Sequence, residues 1–277
     1  IIDLRGGGGK MALGGGGLAT LLLGVVIYMC GGSEALNFFN QITGGGQAPS
    51  QVEQPRRQPG GAPGRGEDEQ RKFVASVLGS TEDVWRQVLP QQARRQYQDP
   101  KLVLFTGQVS SACGYASSAV GPFYCPGDNR LYLDFAFFDD LAREFRAPGD
   151  FAQAYVIAHE VGHHIQNLLG TLSQVHAAQQ RTNQTRANQL SVRLELQADC
   201  YAGVWANYAQ KQGLLEPGDI DEALRAASAV GDDAIQKRAQ GYVVPESFTH
   251  GSAQERAGWF RRGFQTGDMR QCNTFGR

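Results

Sequence analysis

The sequence reads Asp150-Phe-Ala-Gln-Ala-Tyr-Val-Ile-Ala-His-Glu-Val-Gly-His163 near the middle of the chain. Its apolar residues recur at the spacing of one helix face, and this stripe continues up to the two histidines. Asp150 is a candidate N-cap, and Gln153 follows three residues later, as in a capping box. We therefore predict an amphipathic helix over residues 151–169 that ends at Gly170.

The two histidines of this helix have the spacing of a shared metal site. His159 and His163 are four residues apart, so both imidazoles lie on the same helix face. Glu160 lies about 100° around the helix from His159, where it can reach water without displacing a ligand. The pattern predicts one Zn²⁺ ion, with Glu160 as the general base that activates water for hydrolysis. The alternative is two structural histidines beside a helix glutamate.

A catalytic zinc ion usually has three protein ligands, so the third must come from another segment. The metzincin motif continues with a glycine at position 166 and a third histidine at position 169. This chain has Gln166 and Leu169 there, so the third ligand is not of that type. Glu195-Leu-Gln-Ala-Asp199 offers two carboxylates on one helix face instead. We predict that Glu195 binds the metal and that Asp199 accepts the outer N–H of a ligand histidine, most directly His159. The alternative for Glu195 is an exposed residue paired with a neighbouring arginine or with solvent.

Four segments together resemble one known family. They are the histidine motif at 159–163, the acidic motif at 195–199, the run from Cys113-Gly-Tyr-Ala through Gly121-Pro-Phe-Tyr-Cys-Pro126 to Leu131-Tyr-Leu-Asp134, and the tail His250-Gly-Ser-Ala-Gln-Glu-Arg-Ala-Gly-Trp-Phe-Arg-Arg-Gly263. On these segments the chain resembles, over about residues 67–277, the neutral zinc metallopeptidase family of membrane-anchored bacterial proteins. The resemblance implies a zincin-like domain with a glutamate third ligand, as in gluzincins, and says little about the substrate.

The elements around these motifs predict an α+β fold, mainly helical, with a small antiparallel-rich sheet. Helices are expected over residues 68–78 and 82–97, with Gly79 as a stop and Ser80 or Thr81 as a cap. A long helix is expected from about residue 188 to residue 211. Alternating or β-rich runs predict strands at residues 102–106, 108–113, 122–125 and 131–135.

The chain before this domain has a different composition. Glycine occurs in runs, and no charged residue lies between Met11 and Gly32. We predict a glycine-rich tail at residues 1–10, a single transmembrane helix at 11–32, a flexible Gly/Pro/Gln linker at 33–66 and the metallopeptidase domain at 67–277. Arg5 and Lys10 precede the apolar stretch, which favours a cytoplasmic N-terminus and a periplasmic or extracellular domain. A cleaved signal peptide is the alternative, and a lipoprotein cysteine at Cys30 is a weaker one.

The overall charge excludes one large class of partner. Lys and Arg number 26, Asp and Glu number 27, and the net charge is −1. No basic excess is available to neutralise phosphates, so we expect no nucleic-acid partner. The expected partners are a peptide or unfolded protein substrate and the membrane, and no partner protein follows from the sequence.

Four of the five cysteines can form disulfides in an exported domain. Cys113 and Cys125 flank a Gly/Ser-rich loop, and we predict that they are bonded. Cys200 and Cys272 are the second predicted pair, with a buried Cys200 thiol as the alternative. Metal binding by cysteines is the rival interpretation, and the sequence contains no CxxC pair that would support it.

His250 is the first candidate for the donor that stabilises a tetrahedral oxyanion. It precedes a new helix that Ser252 can cap, with Glu255 at the third helical position. Tyr201 and Tyr155 are the alternatives, and a packing or capping role for His250 stays open.

Other polar residues near the motifs have structural interpretations. His164 points about 100° away from His163 and is predicted to be structural. His176 is expected on a solvated connection, and Gly231-Asp-Asp233 as a local turn or cap rather than a second metal site. The basic residues near the C-terminus are expected on one solvated helix face: Arg256, Arg261 and Arg262.

These patterns together predict a membrane-anchored zinc endopeptidase. Its substrate would add as a strand to a sheet edge, at residues 122–125 or 131–135. Two other functions remain open: a non-catalytic, zinc-containing peptide-binding or chaperone-like module, and a zinc amidase that acts on cell-wall peptides.

Overall fold

Helices make up most of the structure, which is a computed structural model that describes residues 1–5 and 65–276. The α-helices are α1 (Arg65–Ala93), α2 (Ala136–Arg143), α3 (Asp150–Leu168), α4 (Thr171–Gln179), α5 (Gln184–Lys211), α6 (Asp219–Ala229), α7 (Asp232–Gln240) and α8 (Ala253–Thr266). The strands are β1 (Ile2–Asp3), β2 (Lys101–Phe105), β3 (Gln108–Ser111), β4 (Gly114–Ser117), β5 (Phe123–Cys125) and β6 (Arg130–Asp134). The α+β class, mainly helical with a small sheet, is confirmed.

The main sheet is not antiparallel-rich as predicted. Its order is β1-β2-β6-β5, and the β1–β2 and β2–β6 pairs are parallel, whereas β5 and β6 are antiparallel. After β2 the chain forms the separate antiparallel hairpin β3–β4 and returns along β5. It then turns at residues 126–129, and β6 inserts between β2 and β5. Because β5 runs back towards the start of β2, β6 runs in the same direction as β2.

One continuous helix, α1, replaces the two helices predicted for residues 68–97. Gly79 does not stop it, and the Thr81 hydroxyl donates back to the Leu78 carbonyl at 2.7 Å instead of capping a new helix. A glycine inside a helix costs about 1 kcal/mol relative to alanine. Burial of Val74 and Trp85, which are 0% exposed on either side of it, offsets that cost. The helix ends before Arg94, which has a φ of 55°.

Close contact between helices positions the central elements. A Cβ atom at Gly162 of α3 would lie 2.9 Å from the Cα of Ala198 on α5, and one at Gly263 of α8 would lie 1.9 Å from the carbonyl oxygen of Cys200. Only glycine fits at such distances. The backbones of α3, α5 and α8 therefore touch, and the faces that carry the two motifs meet.

The helix starts follow the capping predictions only in part. Ser252 and Glu255 form the predicted capping box of α8. Asp150 does not cap α3, whose N-cap is Gly149 without a side-chain bond. The Phe151 N–H instead donates to Oε2 of Glu222 on α6 at 3.2 Å. A carboxylate from another helix thus takes the place of the local cap.

The first residues of the chain lie in the main sheet. Ile2 and Asp3, within the stretch predicted as a glycine-rich tail, form β1 beside β2. The predicted transmembrane helix at 11–32 and most of the predicted linker lie outside the described residues. Among residues 1–5 and 65–276, no helix has the length and apolar character that a membrane crossing requires.

Both predicted disulfides are present. Cys113 bonds Cys125, which attaches the β3–β4 hairpin to the end of β5. Cys200 bonds Cys272 and ties the C-terminal segment to α5, with a sequence separation of 72. The Cys272 carbonyl also accepts a hydrogen bond from the Gln197 amide at 3.0 Å. The longer bridge therefore supports the helix that carries Glu195 and Asp199.

The two disulfides are expected to differ in their contribution to stability. A disulfide stabilises chiefly by restricting the unfolded chain, and the sequence separations are 72 and 12. On chain entropy, loss of the longer bridge through Cys200→Ser/Cys272→Ser should cost about 4 kcal/mol, and loss of the shorter one through Cys113→Ser/Cys125→Ser about 3 kcal/mol. Urea unfolding of both variants and of wild type measures this difference. A less stable short-bridge variant would contradict the expectation.

Candidate metal centre and active site

Helices α3 and α5 bring the three predicted ligands to one point. Nε2 of His159 lies 3.2 Å from Oε2 of Glu195, and Nε2 of His163 lies 3.4 Å from Oε1 of Glu195. One ligating atom of each residue lies within 4.8 Å of the others. Two ligands that each lie about 2.0–2.1 Å from a tetrahedral zinc ion are about 3.3–3.4 Å apart. Both the spacing and the nitrogen and oxygen donors therefore fit zinc.

Each imidazole is also held on its outer nitrogen. Oδ1 of Asp199 is 2.8 Å from Nδ1 of His159, as the predicted supporting role requires. Nδ1 of His163 is 2.9 Å from Oε1 of Gln166, whose amide nitrogen donates to the Leu194 carbonyl at 2.7 Å. Such contacts fix the ring orientation and leave Nε2 free for a metal. The sequence prediction excludes Gln166 as a metal ligand but does not assign it this supporting role, which its place three residues after His163 on the same helix indicates.

Arg256 is part of the centre, and its assignment to a solvated helix face was wrong. Only 3% of it is exposed, because α8 packs closely on α5. Its Nε lies 2.8 Å from Oδ2 of Asp199 and its Nη2 lies 3.0 Å from Oδ1, a bidentate pair. The guanidinium also donates to the Tyr155 hydroxyl at 3.3 Å and to the Val230 carbonyl at 3.1 Å. Its neighbours Arg261 and Arg262 are exposed, as predicted.

The charges of the centre favour a cation. Burial opposes protonation of His159, but the carboxylates of Asp199 and Glu195 outweigh it and raise the pKa of His159 to about 10. Burial likewise opposes ionisation of Asp199, yet Arg256 and His159 lower its pKa to about 2. The pKa of Glu195 lies well below its usual range because the two imidazoles outweigh its burial. Both carboxylates are thus ionised at neutral pH, and metal binding would displace protons from the histidines.

Glu160 lies in the same cleft as the three ligands. Its residue surface is 9% exposed. Burial raises the pKa of the Glu160 carboxyl, against the opposing effects of His163 and His159 and of a hydrogen bond with the Tyr124 backbone. The raised pKa of Glu160 lies closer to neutral pH than that of an ordinary glutamate, which suits a general base.

Strand β5 forms one wall of the cleft. Residues Pro122, Phe123 and Tyr124 line it together with Glu160. β5 is an outer strand of the described sheet, whereas β6 lies between β2 and β5. Of the two predicted substrate edges, only the one at residues 122–125 is therefore an edge strand.

His250 lines the cleft, and Asp232 at the start of α7 holds it there. Oδ1 of Asp232 is 3.0 Å from Nδ1 of His250, and Oδ2 accepts the backbone N–H groups of Thr249, His250 and Gly251 at 2.7, 2.6 and 3.0 Å. The sequence predicts a turn or cap at Gly231-Asp-Asp233 but contains no local pattern that indicates the contact between Asp232 and His250. With Nδ1 bonded to Asp232, the remaining donor of a protonated His250 is Nε2–H.

The stability given by Asp232 is expected to depend on pH. Burial raises the pKa of its carboxyl, but the hydrogen bonds from His250 and Thr249 outweigh burial and hold the pKa below its usual 3.8. A lowered folded-state pKa stabilises the protein above 3.8, and this stability is lost as the pH falls through the folded-state value. Asp232→Asn should therefore be less stable than wild type at neutral pH, and the difference should shrink below about pH 4. Urea unfolding of both proteins at several pH values measures the difference in unfolding free energy. A difference that does not change with pH would contradict this role of Asp232.

The two alternative tyrosines and the two remaining histidines lie at four different positions in the structure. Tyr155 is buried, and its hydroxyl donates to Oδ1 of Asp199 at 2.6 Å. Tyr201 packs edge-on against Trp85, with 5.6 Å between ring centroids, and does not line the cleft. His164 is buried between the Tyr124 hydroxyl at 3.1 Å and the Gln98 carbonyl at 2.6 Å, a structural position as predicted. His176 is exposed, but on helix α4 rather than on a connection.

A family model described as "Putative neutral zinc metallopeptidase" matches residues 1–275. The chain belongs to this family. The match covers nearly the whole chain and includes both helices that carry the candidate metal ligands, so the family-level prediction is confirmed.

Curated relatives cover most of the chain as well. The uncharacterized protein YpfJ of Escherichia coli is 47% identical over 275 residues, which are 99% of this chain and 92% of the relative. An uncharacterized protein of Mycobacterium tuberculosis is 49% identical over 213 residues, which are 73% of this chain and 69% of the relative. No solved structure matches.

Proposed function

We propose that this protein is a zinc-dependent endopeptidase that hydrolyses peptide bonds with Glu160 as the general base. One observation carries the proposal: His159, His163 and Glu195 converge with zinc-compatible spacing in a cleft that also holds Glu160. A site that only bound zinc would need the three ligands but no buried glutamate beside them. The intact Glu160 thus favours catalysis over a peptide-binding or chaperone-like module.

The residues of the cleft divide the reaction between them. One zinc ion held by His159, His163 and Glu195 would polarise the scissile carbonyl and make water more acidic. Glu160 accepts a proton from the attacking water and returns it to the amine that leaves. Asp199 and Gln166 keep the two imidazoles oriented throughout.

His250 is the residue best placed to stabilise the oxyanion. Both His250 and Tyr155 line the cleft, but Tyr155 already donates its hydroxyl to Asp199. The bond from Nδ1 to Asp232 directs the other edge of the imidazole away from the carboxylate. Protonated His250 can then donate from Nε2 to the oxygen on which negative charge develops.

His250→Ala should slow catalysis without removing the metal. Loss of one oxyanion donor typically lowers kcat by about 10²–10³-fold. Zinc content should match that of wild type, because His250 is not among the metal-binding residues. His176→Ala, at an exposed helix position, is the matched control and should retain full activity. A His250→Ala variant with unchanged kcat would assign the oxyanion role elsewhere.

The proposed substrate is an extended peptide or an unfolded protein segment. Strand β5 presents an edge beside Glu160, and main-chain hydrogen bonds to such an edge give affinity with little sequence preference. Casein cleavage by the zinc-loaded protein, and its loss on zinc removal by a chelator, test the proposal. Cleavage of purified cell wall but not of casein would favour the zinc amidase. Zinc binding without hydrolysis of either would favour the binding module.

The domain is proposed to work outside the cytoplasm. Two disulfides support this, because such bonds persist in oxidising compartments and are rare in the cytosol. Membrane association through the apolar stretch at residues 11–32 stays a prediction from the sequence.

A further inference from the structure

Two glutamines lie buried behind the metal centre. Gln166 of α3 is 0% exposed and Gln197 of α5 is 7% exposed, although glutamine is mostly a surface residue. The amide nitrogen of Gln166 donates to Oε1 of Gln197 at 3.1 Å. Because a buried amide is costly unless it is hydrogen-bonded, the partners of these two side chains decide what the pair does.

Two main-chain carbonyls set the direction of the hydrogen bonds. A carbonyl oxygen can only accept, so the amide nitrogen of a glutamine must face it. The Gln197 nitrogen donates to the Cys272 carbonyl at 3.0 Å. The Gln166 nitrogen donates to the Leu194 carbonyl at 2.7 Å. Gln197 therefore presents its oxygen to Gln166, and Gln166 presents its oxygen to Nδ1 of His163 at 2.9 Å.

This direction decides which nitrogen of His163 is available to a metal. With the Gln166 oxygen beside it, Nδ1 carries the proton, and Nε2 keeps its lone pair on the side of Glu195. If the Gln166 amide turned over, its nitrogen would face Nδ1, and the imidazole proton would lie on Nε2, where it blocks metal binding. The oxygen of Gln197 opposes this reversal because it accepts the second N–H of Gln166.

The C-terminal segment holds the far end of this hydrogen-bonded chain. Cys272 is bonded to Cys200 of α5 and is only 1% exposed. The Thr274 hydroxyl donates to the Arg193 carbonyl of the same helix at 2.6 Å. The Cys272 carbonyl is thus a fixed acceptor on α5, and it keeps the Gln197 amide from turning.

We propose that Gln197 is a positioning residue of the metal centre, which acts through Gln166 to keep the proton of His163 on Nδ1 and to leave Nε2 for the metal. The proposal rests on the zinc site of the proposed function, but it does not depend on hydrolysis. No hydrogen bond joins Gln197 to His163 directly among the described residues. The effect of Gln197 on zinc binding therefore requires an intact Gln166.

Zinc affinity of the metal-free full chain, measured by competition with a zinc-sensitive dye, tests this role. Gln166→Met removes the direct partner of His163 and should weaken zinc binding by about 10–100-fold. Gln197→Met should weaken it by about 10-fold, the lower end of that range, since Gln166 keeps its bond to Leu194. The double variant should bind zinc no more weakly than Gln166→Met alone. Factors that multiply in the double variant, or wild-type affinity in Gln197→Met, would overturn the proposal.

Gln179→Met is the matched control. Gln179 is 8% exposed, and its amide nitrogen donates to the Ala187 carbonyl at 3.2 Å and to the Ser191 hydroxyl at 2.9 Å. The same substitution thus removes buried hydrogen bonds that do not lead to a ligand, and zinc affinity should stay at the wild-type level. Visible absorption of Co²⁺ bound in place of zinc reports ligand geometry, and it should change in Gln197→Met only. Equal changes in both variants would reduce Gln197 to a packing role and overturn the proposal.

A shorter amide tests the same role if Gln197→Met does not fold. The side chain of Gln197→Asn is too short to reach both Gln166 and Cys272, so the same weaker zinc binding is expected, and wild-type affinity would overturn the proposal. The expected zinc affinities in a protein that does not cleave casein would support the positioning role and contradict the proposed function. A wild-type chain without affinity for zinc would overturn both.

Discussion

Glu160→Gln is expected to abolish most peptide hydrolysis while it leaves the metal centre intact. Glutamine has nearly the same volume as glutamate but cannot accept the proton from water. Loss of a general base typically costs about 10²–10⁴-fold in rate. Glu160 is not among the metal-binding residues, so zinc content should stay at the wild-type level. Casein hydrolysis, measured together with zinc content on the same preparation, gives both quantities.

The control for this variant is Glu246→Gln, which makes the same chemical change at an exposed position. It should hydrolyse casein at the wild-type rate. A Glu160→Gln variant that stays equally active with zinc bound would remove Glu160 from the mechanism. Parallel loss of zinc and activity would mean that the variant tests the metal centre rather than the base.

Arg256→Met is expected to destabilise the protein strongly. Methionine keeps much of the length of the side chain but leaves the buried carboxylate of Asp199 without its bidentate partner. Removal of one member of a buried pair typically costs about 3–5 kcal/mol, because the remaining charge is uncompensated. Asp199 would then also hold His159 less firmly, and loss of such support typically weakens metal affinity by about 10–100-fold.

Arg261→Met provides the matched control on the same helix. Arg261 is exposed, and a substitution at such a position usually changes the unfolding free energy by less than about 0.5 kcal/mol. Urea unfolding of the metal-free proteins measures stability, and competition with a zinc-sensitive dye measures affinity. If both Met variants behave alike, the buried ion pair contributes nothing to the centre.

The convergence of the candidate ligand residues was predictable because their geometry on each helix is local. Helix periodicity alone puts His159 and His163 on one face, and Glu195 and Asp199 on another. The chemistry of zinc then requires the two faces to meet. The burial of Arg256 depends on the packing of α8 against α5, which no local rule contains. A signal was nevertheless present, since Arg256 shares a helix face with the apolar Phe260 and the small Gly263.

The sheet was predictable only in its strands. Alternating or β-rich runs located β2, β5 and β6 to within a residue or two, because both patterns are local. The parallel pairing of β2 with β6 arises because β6 inserts between β2 and β5. This insertion depends on contacts between segments that are distant in sequence. The N-terminal strand had no detectable pattern, since two residues are too few for any period.

Gly162, the second variable position of the histidine motif, has a purely steric role. The α3 backbone contacts Ala198 of α5 directly at Gly162. The distance between the two helices at this point therefore sets how far His159 and His163 lie from Glu195. A methyl group at this position would lie 2.9 Å from the Cα of Ala198 and would push α3 and α5 apart. The spacing of the three proposed ligands thus depends on the hydrogen atom that glycine has in place of a side chain.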